Sequence, residues 1–471
     1  MHKDSMPTYQ DVTTAPQFRE AQSFESALAA IAKQIDARPQ TASPLSFNRI
    51  KISIHDLDPL AWLGHQKGEN KIYWADRDTA FEMAGLGSIY TVSATSDVDY
   101  TALFQRLQKI LAENQPGLRF YGGTRFYECF ENDATWQSFG TYRFIIPAIE
   151  VHRDQNGTSL ICNFNDRQKA KYILKSLADT QKFQTHKNGK NGKSRSVLVK
   201  RTDIPHEEAW DANISAALHA FKKRQLDKVV LARKSVFEFD EKIDSVSLIS
   251  TLRNSNSKLF YFLFQFDENS AFLGGSPELL YLRKGLQIKS EAIAGTRPCG
   301  ATPAEAKQFG ADLLACEKDI REHRFVLDSI KNNLLEICET VDTDDQLSLL
   351  QLSRVQHLRC RLQGILSPGI TDAHIIELMH PTPAVGGIPK EKAIAAIRQL
   401  EHFDRGWYAA PVGYISQNEA EFVVAIRSGL VRNNQLSLFS GAGIVEGSVA
   451  ASEWEEIENK IANFMKAITS R

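Results

Sequence analysis

Four glutamates lie within nine residues near the C-terminus, in the segment 452–460 with the sequence SEWEEIENK. On a helical wheel, with about 100° per residue, Glu453, Glu456 and Lys460 fall within an arc of about 60° that borders the apolar side of the helix. Carboxylates at the edge of a buried face are costly unless a positive charge compensates them. We therefore expect these carboxylates to face a cation, which is either a metal ion or a lysine.

A second helix, with the sequence EKDIREH at residues 317–323, shows the same arrangement. Asp319, Glu322 and His323 project onto or beside its apolar face. If the two helices lie side by side, Glu322 and Glu456 can share a divalent ion with oxygen ligands only, which suits Mg²⁺ better than zinc. The alternative, which spacing alone leaves open, is an ordinary salt bridge at the edge of each helix.

Lys228 stands at the head of the apolar run VVLA at 229–232, where a buried strand begins. Burial disfavours the charged form of a lysine, so Lys228 can act as a base if its neighbours remove it from water. The alternative is that its long side chain reaches solvent from the end of the strand, and the residues alone favour that alternative.

Glu278 follows the tight turn Gly-Gly-Ser-Pro and precedes two leucines. Apolar surroundings can hold a carboxyl group in its protonated form, and such a group serves as a general acid. A lone glutamate at the start of a strand usually has no catalytic role, so this interpretation depends on the other candidates.

Proline and glycine segments indicate where a ligand can approach the backbone. The segment HPTPAVGG, which begins with His380, is rigid through its prolines and open at its glycines, although it can also be only a structural loop. Arg427 ends the strand-like run VVAI, where a buried guanidinium requires a carboxylate partner. Gly441 and Gly443 leave backbone amides accessible to an anion. Together these residues predict an anionic ligand that carries at least one carboxylate.

Composition limits the class of protein that positions these residues. The chain has 471 residues with 56 basic and 57 acidic side chains, a balance that offers no charged surface for nucleic acid or an anionic membrane and favours a small-molecule partner. Six scattered cysteines form no C-x-x-C pair, which argues against a zinc knuckle or a disulfide framework. The N-terminal residues lack an apolar signal core, and no run approaches the length of a membrane span. These features predict a cytoplasmic protein.

The pattern of apolar residues predicts an α+β fold. A short amphipathic helix at 24–38 precedes extended runs in which apolar and polar residues alternate, so the N-terminal part is mostly sheet. These runs cover 47–54, 71–78, 81–87, 118–126 and 142–153. Strands mixed with a few helices favour antiparallel sheets over a regularly alternating parallel sheet.

The second half begins after a polar surface linker at 186–196, whose Gly-Lys-Ser lacks the spacing of a phosphate loop. The sequence predicts that the aromatic strand at 259–266 pairs with the segment AFLGGSPELLYLRK at 271–284. It also predicts a long helix near 303–340 and a helix at the C-terminus.

Residues 205–471 resemble the chorismate-utilising enzymes, which include the isochorismate, salicylate, anthranilate and aminodeoxychorismate synthases. The segments that carry the resemblance occur in the order of the family and near its spacing: DKVVLAR, GGSPELL, IAGTRP, EKDIREH, HPTPAVGG, GWYAAPVGY, FVVAIRSG, GAGIVEG and SEWEEIENK. More weakly, WADRDTAFEMAGLG and WQSFGTYRFIIPAIEV are similar to the N-terminal part of isochorismate synthases of the menaquinone type. The resemblance implies a four-layer αββα sandwich of mostly antiparallel sheets with outer helices, in which residues 1–200 form a β-rich part and 201–471 the chorismate-binding catalytic part.

The resemblance also implies a role for each candidate. Lys228 matches the general base that activates water, and Glu278 matches the general acid. Glu322 and Glu456 match the Mg²⁺ ligands, with Asp319 and Glu453 as acidic neighbours that bind the water shell of the ion. The residues that match the substrate site are Gly295, Thr296, His380, Tyr408, Arg427, Gly441, Gly443 and Lys460, with Tyr408 and Arg427 on the enolpyruvyl carboxylate.

Two positions favour one reaction within this family. Relatives that add ammonia resemble this chain except for a glutamine at the position of Lys228, and aminodeoxychorismate synthases have a nucleophilic lysine at the position of Ala294. We therefore expect an Mg²⁺-dependent isochorismate synthase, most consistent with menaquinone biosynthesis, that acts on chorismate without a glutamine amidotransferase subunit as a monomer or weak homodimer. The alternatives are a salicylate synthase and a catalytically silent chorismate-binding protein.

Overall fold

A computed structural model describes residues 21–38, 43–95, 99–127, 134–185, 197–255 and 258–469. The predicted linker at 186–196, the N-terminal segment 1–20 and Cys129 lie outside these ranges. No helix among the described residues is long and apolar enough to cross a membrane.

Eleven helices occur in the described residues: α1 Phe24–Ala37, α2 Pro59–Gly64, α3 Tyr100–Ala112, α4 Arg167–Thr185, α5 Glu207–Lys222, α6 Ser245–Ser255, α7 Pro303–Ala315, α8 Glu317–Ile337, α9 Asp372–Met379, α10 Lys390–Leu400 and α11 Ala450–Thr469. The strands are β1 Asn48–Ile54, β2 Lys71–Ala75, β3 Phe81–Ala94, β4 Arg119–Thr124, β5 Tyr142–Asp154, β6 Gly157–Phe164, β7 Leu198–Ile204, β8 Lys228–Phe239, β9 Phe260–Gln265, β10 Ser270–Ser276, β11 Leu279–Lys284, β12 Gln287–Pro298, β13 Cys338–Thr343, β14 Ser348–Gln351, β15 Val355–Leu366, β16 Gly387–Ile388, β17 Pro411–Ser416, β18 Glu419–Val424, β19 Ser428–Arg432 and β20 Gln435–Ile444.

The strands form two antiparallel sheets that share the long strands β3 and β5. The first sheet has the order β1-β6-β5-β3-β2-β9-β10-β19-β20-β8-β7, with β16 beside β8. The second runs β3-β5-β4-β17-β18-β11-β12-β15, and β15 also pairs with β13 and β14. A shift in register between Ser88 and Tyr90 marks the point where β3 leaves one sheet for the other. The antiparallel α+β architecture predicted from the sequence is confirmed.

Strands from both halves of the chain interleave, because β2 pairs with β9 and β4 pairs with β17. The core between the sheets is aromatic. Trp407 is fully buried and packs on Phe264 and Phe272 of the first sheet, with ring centroids 5.7 and 6.4 Å away. On the side of the second sheet, the Trp407 ring leaves no room for a side chain at Gly123. Edge-to-face contacts of this kind each contribute about 0.5–1.5 kcal/mol beyond the area that they bury.

Two expectations about the second half need correction. The predicted long helix near 303–340 is two helices, α7 and α8, separated by Cys316, whose φ of −78° and ψ of 107° are extended. The predicted partner strand at 271–284 divides at Pro277, which has no N–H for a strand ladder. Its first part, β10, pairs with β9 as predicted, whereas β11 belongs to the second sheet. Glu278 therefore lies where the chain passes from one sheet to the other.

Candidate active site

Most of the predicted site residues line one cavity of about 260 Å³ between the sheets and the helices α8 and α11. The predicted residues in its wall are Lys228, Glu278, Gly295, Thr296, Glu322, Tyr408, Arg427, Gly441, Gly443, Glu456 and Lys460. Asp319, His380 and Glu453 do not contribute to the wall. Motifs separated by more than two hundred residues thus meet at a single place.

Lys228 is buried, with 6% of its surface exposed, so the expectation that it reaches solvent is wrong. The strand β16 pairs with the start of β8, and Glu322 approaches from α8 to place Oε1 3.3 Å from Lys228 Nζ. A side chain at Gly443 would crowd Lys228 Cε at 3.2 Å, so glycine at this position lets the lysine lie along β20. The amine is consequently held inside the cavity.

Glu278 is buried, and its carboxyl group keeps its proton up to nearly neutral pH. Burial raises the pKa of its carboxyl group to about 7, against the opposing effects of a hydrogen bond from Thr382 and the positive charge of Lys228. Thr382 Oγ1 donates to Glu278 Oε1 at 3.0 Å, and the backbone N–H of Glu278 donates to Ser276 Oγ at 3.1 Å. The carboxyl group is therefore oriented, protonated below about pH 7 and able to give its proton to a ligand.

The hydroxyl of Thr382 tunes this carboxyl group. We expect Thr382→Val to raise the pKa of Glu278 further, because the lost hydrogen bond stabilises the charged form, and to lower turnover by about 3- to 10-fold. The decline of activity at alkaline pH should move to higher pH. Thr382→Ser keeps the hydroxyl and serves as the matched control in the same pH–rate measurement. An unchanged alkaline limb in Thr382→Val would contradict this role.

The helix carboxylates that line the cavity are each paired with a lysine. Glu322 contacts Lys228, and Glu456 Oε1 lies 2.7 Å from Lys460 Nζ. Lys460 also donates to the carbonyl of Gly441 at 2.9 Å, which ties α11 to β20. No cluster of three or more histidine, cysteine or acidic side chains forms a ready metal site in the ranges that the structure describes.

The two outer acidic residues differ in their surroundings. Asp319 forms an ion pair with Arg297, with Oδ2 2.5 Å from Nη2. Burial raises the pKa of Glu453, and the negative charge of Glu456 raises it further. A cation near Glu453 and Glu456 would relieve the repulsion between their negative charges. A donor set of carboxylate oxygens alone suits Mg²⁺ rather than zinc. The residues present therefore fit the ion that the sequence predicts.

Arg427 supplies a partly buried positive charge in the cavity wall, for which the sequence predicted a carboxylate partner. Its Nη2 instead donates to His357 Nε2 at 2.8 Å, and no carboxylate pairs with it in the part of the chain described. Burial lowers the pKa of this guanidinium to about 10, so it stays charged at neutral pH. Its φ of 50° is unusual for a residue with a side chain, and such strain concentrates at functional sites. An anionic ligand would complete the site.

His357 is a cavity residue that the sequence did not reveal. Burial and the nearby charge of Arg427 lower its pKa to about 3, so the ring is neutral and its Nε2 can accept the hydrogen bond from Arg427. Its Nδ1 lies 3.2 Å from the carbonyl oxygen of Gly295 and 3.1 Å from Thr296 Oγ1. The ring thereby links the guanidinium to β12 at Gly295, where the register of the strand shifts.

Arg427→Gln should raise the KM for the anionic substrate by about 10- to 100-fold, because hydrogen bonds to a charged group contribute about 1.5–3 kcal/mol. The kcat should change less. Steady-state kinetics measure both quantities. Arg432→Gln, at the exposed end of β19, is the control and should match the unaltered protein. A KM for Arg427→Gln that stays within about twofold would remove Arg427 from the binding site.

Of two further predicted site residues, Tyr408 lines the cavity and His380 does not. Tyr408 stacks on Phe439 with the ring centroids 5.3 Å apart, and its hydroxyl oxygen is 3.3 Å from where a side chain at Gly441 would begin. His380 instead faces away from the cavity, with its Nε2 3.0 Å from the carbonyl oxygen of Phe126. The HPTPAVGG segment contributes Ala384 and Val385 to the wall of the cavity, and Thr382 as the hydrogen-bond partner of Glu278.

Comparison with known proteins identifies the family. A family model described as chorismate binding enzyme matches residues 31–469. The isochorismate synthase MenF of Bacillus subtilis (strain 168) is 31% identical over 445 residues, covering 90% of this chain and 93% of that protein. The isochorismate synthase MenF of Pasteurella multocida (strain Pm70) is 33% identical over 405 residues, covering 85% of this chain and 88% of that protein.

The fold agrees with these matches. The solved structure of MenF, the menaquinone-specific isochorismate synthase from Escherichia coli, superposes with a TM-score of 0.81 at 28% identity and covers 95% of this chain and 100% of that chain. This likeness confirms the predicted αββα sandwich of the isochorismate synthase type. Because the family model extends from within α1 to the last residue of α11, the chain belongs to the family of chorismate-binding enzymes.

Proposed function

We propose that this protein is an isochorismate synthase, which converts chorismate reversibly to isochorismate. The observation that carries this proposal is the presence of Lys228 and Glu278, a buried amine and a buried carboxyl group with a pKa of about 7, in the wall of one cavity. Ala294 also lines that cavity, so no amine nucleophile stands at its position. The named relatives from Bacillus subtilis and Escherichia coli support the same reaction.

The reaction adds one water and removes another. Lys228 takes a proton from the water that attacks carbon 2 of the ring, while Glu278 gives its proton to the 4-hydroxyl group that leaves. The ring double bonds shift as the C2–O bond forms and the C4–O bond breaks. Because the same two groups can act in the opposite direction, the isomerisation is reversible.

The remaining cavity residues hold the substrate. Arg427 and Tyr408 bind the enolpyruvyl carboxylate, and His357 orients the guanidinium through its 2.8 Å hydrogen bond. The backbone at Gly295, Thr296, Gly441 and Gly443, together with Lys460, forms the cradle for the ring.

Glu322 and Glu456 are the residues that would hold Mg²⁺, with Asp319 and Glu453 near its water shell. When bound, the ion neutralises and polarises the ring carboxylate of chorismate. The ion pairs of Glu322 with Lys228 and of Glu456 with Lys460 support this role, because both carboxylates already face a positive charge at the cavity.

The pathway that we favour is menaquinone biosynthesis, in a cytoplasmic protein. One support is the N-terminal resemblance to menaquinone-type enzymes. The other is the likeness to the menaquinone-specific enzyme of Escherichia coli, whose structure covers 95% of this chain and therefore includes the N-terminal half.

The test is to incubate the purified protein with chorismate and Mg²⁺ and to identify the product by chromatography. We expect isochorismate to form, the same equilibrium to be reached from either side, and EDTA to abolish the reaction. Salicylate and pyruvate would instead identify a salicylate synthase. Chorismate that is bound but not consumed would identify a silent binding protein.

A further inference from the structure

We propose that Arg77, in the N-terminal half of the chain, is a positioning residue for the general acid Glu278. Arg77 Nη2 donates to the carbonyl oxygen of Pro277, the residue directly before Glu278. This inference rests on the proposed function, because it assigns Arg77 a part in the same reaction. It gives the β-rich N-terminal part a role in catalysis besides completing the fold.

The turn between β2 and β3 carries Arg77 and is itself well defined. The carboxylate of Asp76 accepts hydrogen bonds from the backbone N–H groups of Ala80 and Phe81 at 2.8 and 2.9 Å. The strand β2 ends opposite Tyr261 of β9, the neighbour of β10 in the first sheet. The turn therefore projects Arg77 toward the end of β10, where the chain turns into Pro277.

The guanidinium is fixed between two strands of the site. Its Nη1 lies 2.6 Å from Glu291 Oε2 of β12, and both side chains are more than nine-tenths buried. The guanidinium also lies over the ring of Phe260, 4.8 Å from its centroid. The planar guanidinium of an arginine holds its N–H donors in fixed directions. Arg77 therefore connects the carbonyl group of Pro277 to β12, the strand that also carries Gly295.

Arg77 acts on the backbone and not on the carboxyl group of Glu278. The groups that face this carboxyl group are the hydroxyl of Thr382 from the loop after α9 and the amine of Lys228 from β8. Loss of Arg77 should therefore displace the acid and leave its titration unchanged. A displacement of about 1 Å can lower a rate by about 10²-fold, so we expect a loss in kcat.

The test uses Arg77→Met combined with Glu291→Gln, so that neither member of this ion pair is left as a buried unpaired charge; Arg359, which lies 3.9 Å from Glu291, is partly exposed. We expect kcat to fall about 10- to 100-fold, with the KM for chorismate within about threefold and the alkaline limb of the pH–rate profile in place. In the Glu278→Gln background the same two substitutions should cause no further loss, because Arg77 acts through Glu278.

The matched control is Arg49→Met with Glu150→Gln, which removes a 2.9 Å ion pair of similar burial between β1 and β5, away from the cavity. Its kcat should stay within about threefold of the unaltered protein. Normal turnover in the Arg77 double variant, or a further loss when it is added to Glu278→Gln, would overturn the proposal. If the unaltered protein forms no isochorismate, the proposed function fails first, and the two failures are distinguishable.

Discussion

Glu278→Gln is expected to lower the turnover of chorismate by about 10²- to 10⁴-fold, the usual contribution of a positioned general acid. The amide has nearly the same shape as the carboxyl group, and its oxygen can still accept the hydrogen bond from Thr382, which is 3.0 Å from the carboxylate in the structure. It has no acidic proton to give to the leaving hydroxyl. Chorismate affinity, measured by calorimetry, should stay close to that of the unaltered protein.

The pH profile provides the second measurement for Glu278. The acid must be protonated, and burial raises its pKa to about 7, so kcat should fall as the pH rises through about 7. In Glu278→Gln the residual rate should lose this alkaline limb. Near-normal turnover, or an unchanged limb in the variant, would refute the assignment of Glu278 as the acid.

Glu421 offers a control that separates a raised pKa from catalysis. Burial also raises the pKa of this β18 glutamate to about 7, and its carboxylate accepts a hydrogen bond from Trp74 Nε1 at 3.0 Å. It does not line the cavity. We therefore expect Glu421→Gln to leave kcat and its pH profile unchanged, because Glu278, unlike Glu421, combines the perturbed carboxyl group with access to the ligand.

Helical periodicity was sufficient to place the acidic faces of α8 and α11, because positions three and four apart share one side of any helix. Glu322 and Glu456 do line one cavity, and Asp319 and His323 are buried. Periodicity also places Lys460 beside Glu456, four residues away, but it contains no information about partners on other elements. The lysines at Glu322 and Glu456, and Arg297 at Asp319, come from tertiary contacts and from neighbours along the helix.

The burial of Lys228 could not be predicted from the local sequence. An apolar run predicts the strand, but the burial of its first residue depends on Glu322 and Gly443, which lie far along the chain. The change of sheet at Pro277 is a similar case, because β11 pairs with β18, which lies far along the chain.

Thr382, His357 and Arg77 are among the residues in or next to the site that sequence patterns did not identify. Each forms a hydrogen bond to a residue that is distant in sequence: Thr382 to Glu278, Arg427 to His357, and Arg77 to Pro277. The alternation of β15 places His357 on the same side of the strand as Arg359 and Arg361, which gives it the pattern of a surface residue, although His357 is buried. Only the tertiary structure reveals such pairs.

Lys228→Ala should also lower turnover by about 10²- to 10⁴-fold. The substitution removes from the cavity wall the amine that takes a proton from the attacking water. Single-turnover measurements with isochorismate as the substrate should show the same loss, since Lys228 takes part in both directions. Lys284→Ala, at the exposed end of β11, is the control and should retain full activity. A small primary amine added to Lys228→Ala should restore part of the rate if the missing group is a base. A variant with near-normal turnover in both directions would show that the water is activated by another group.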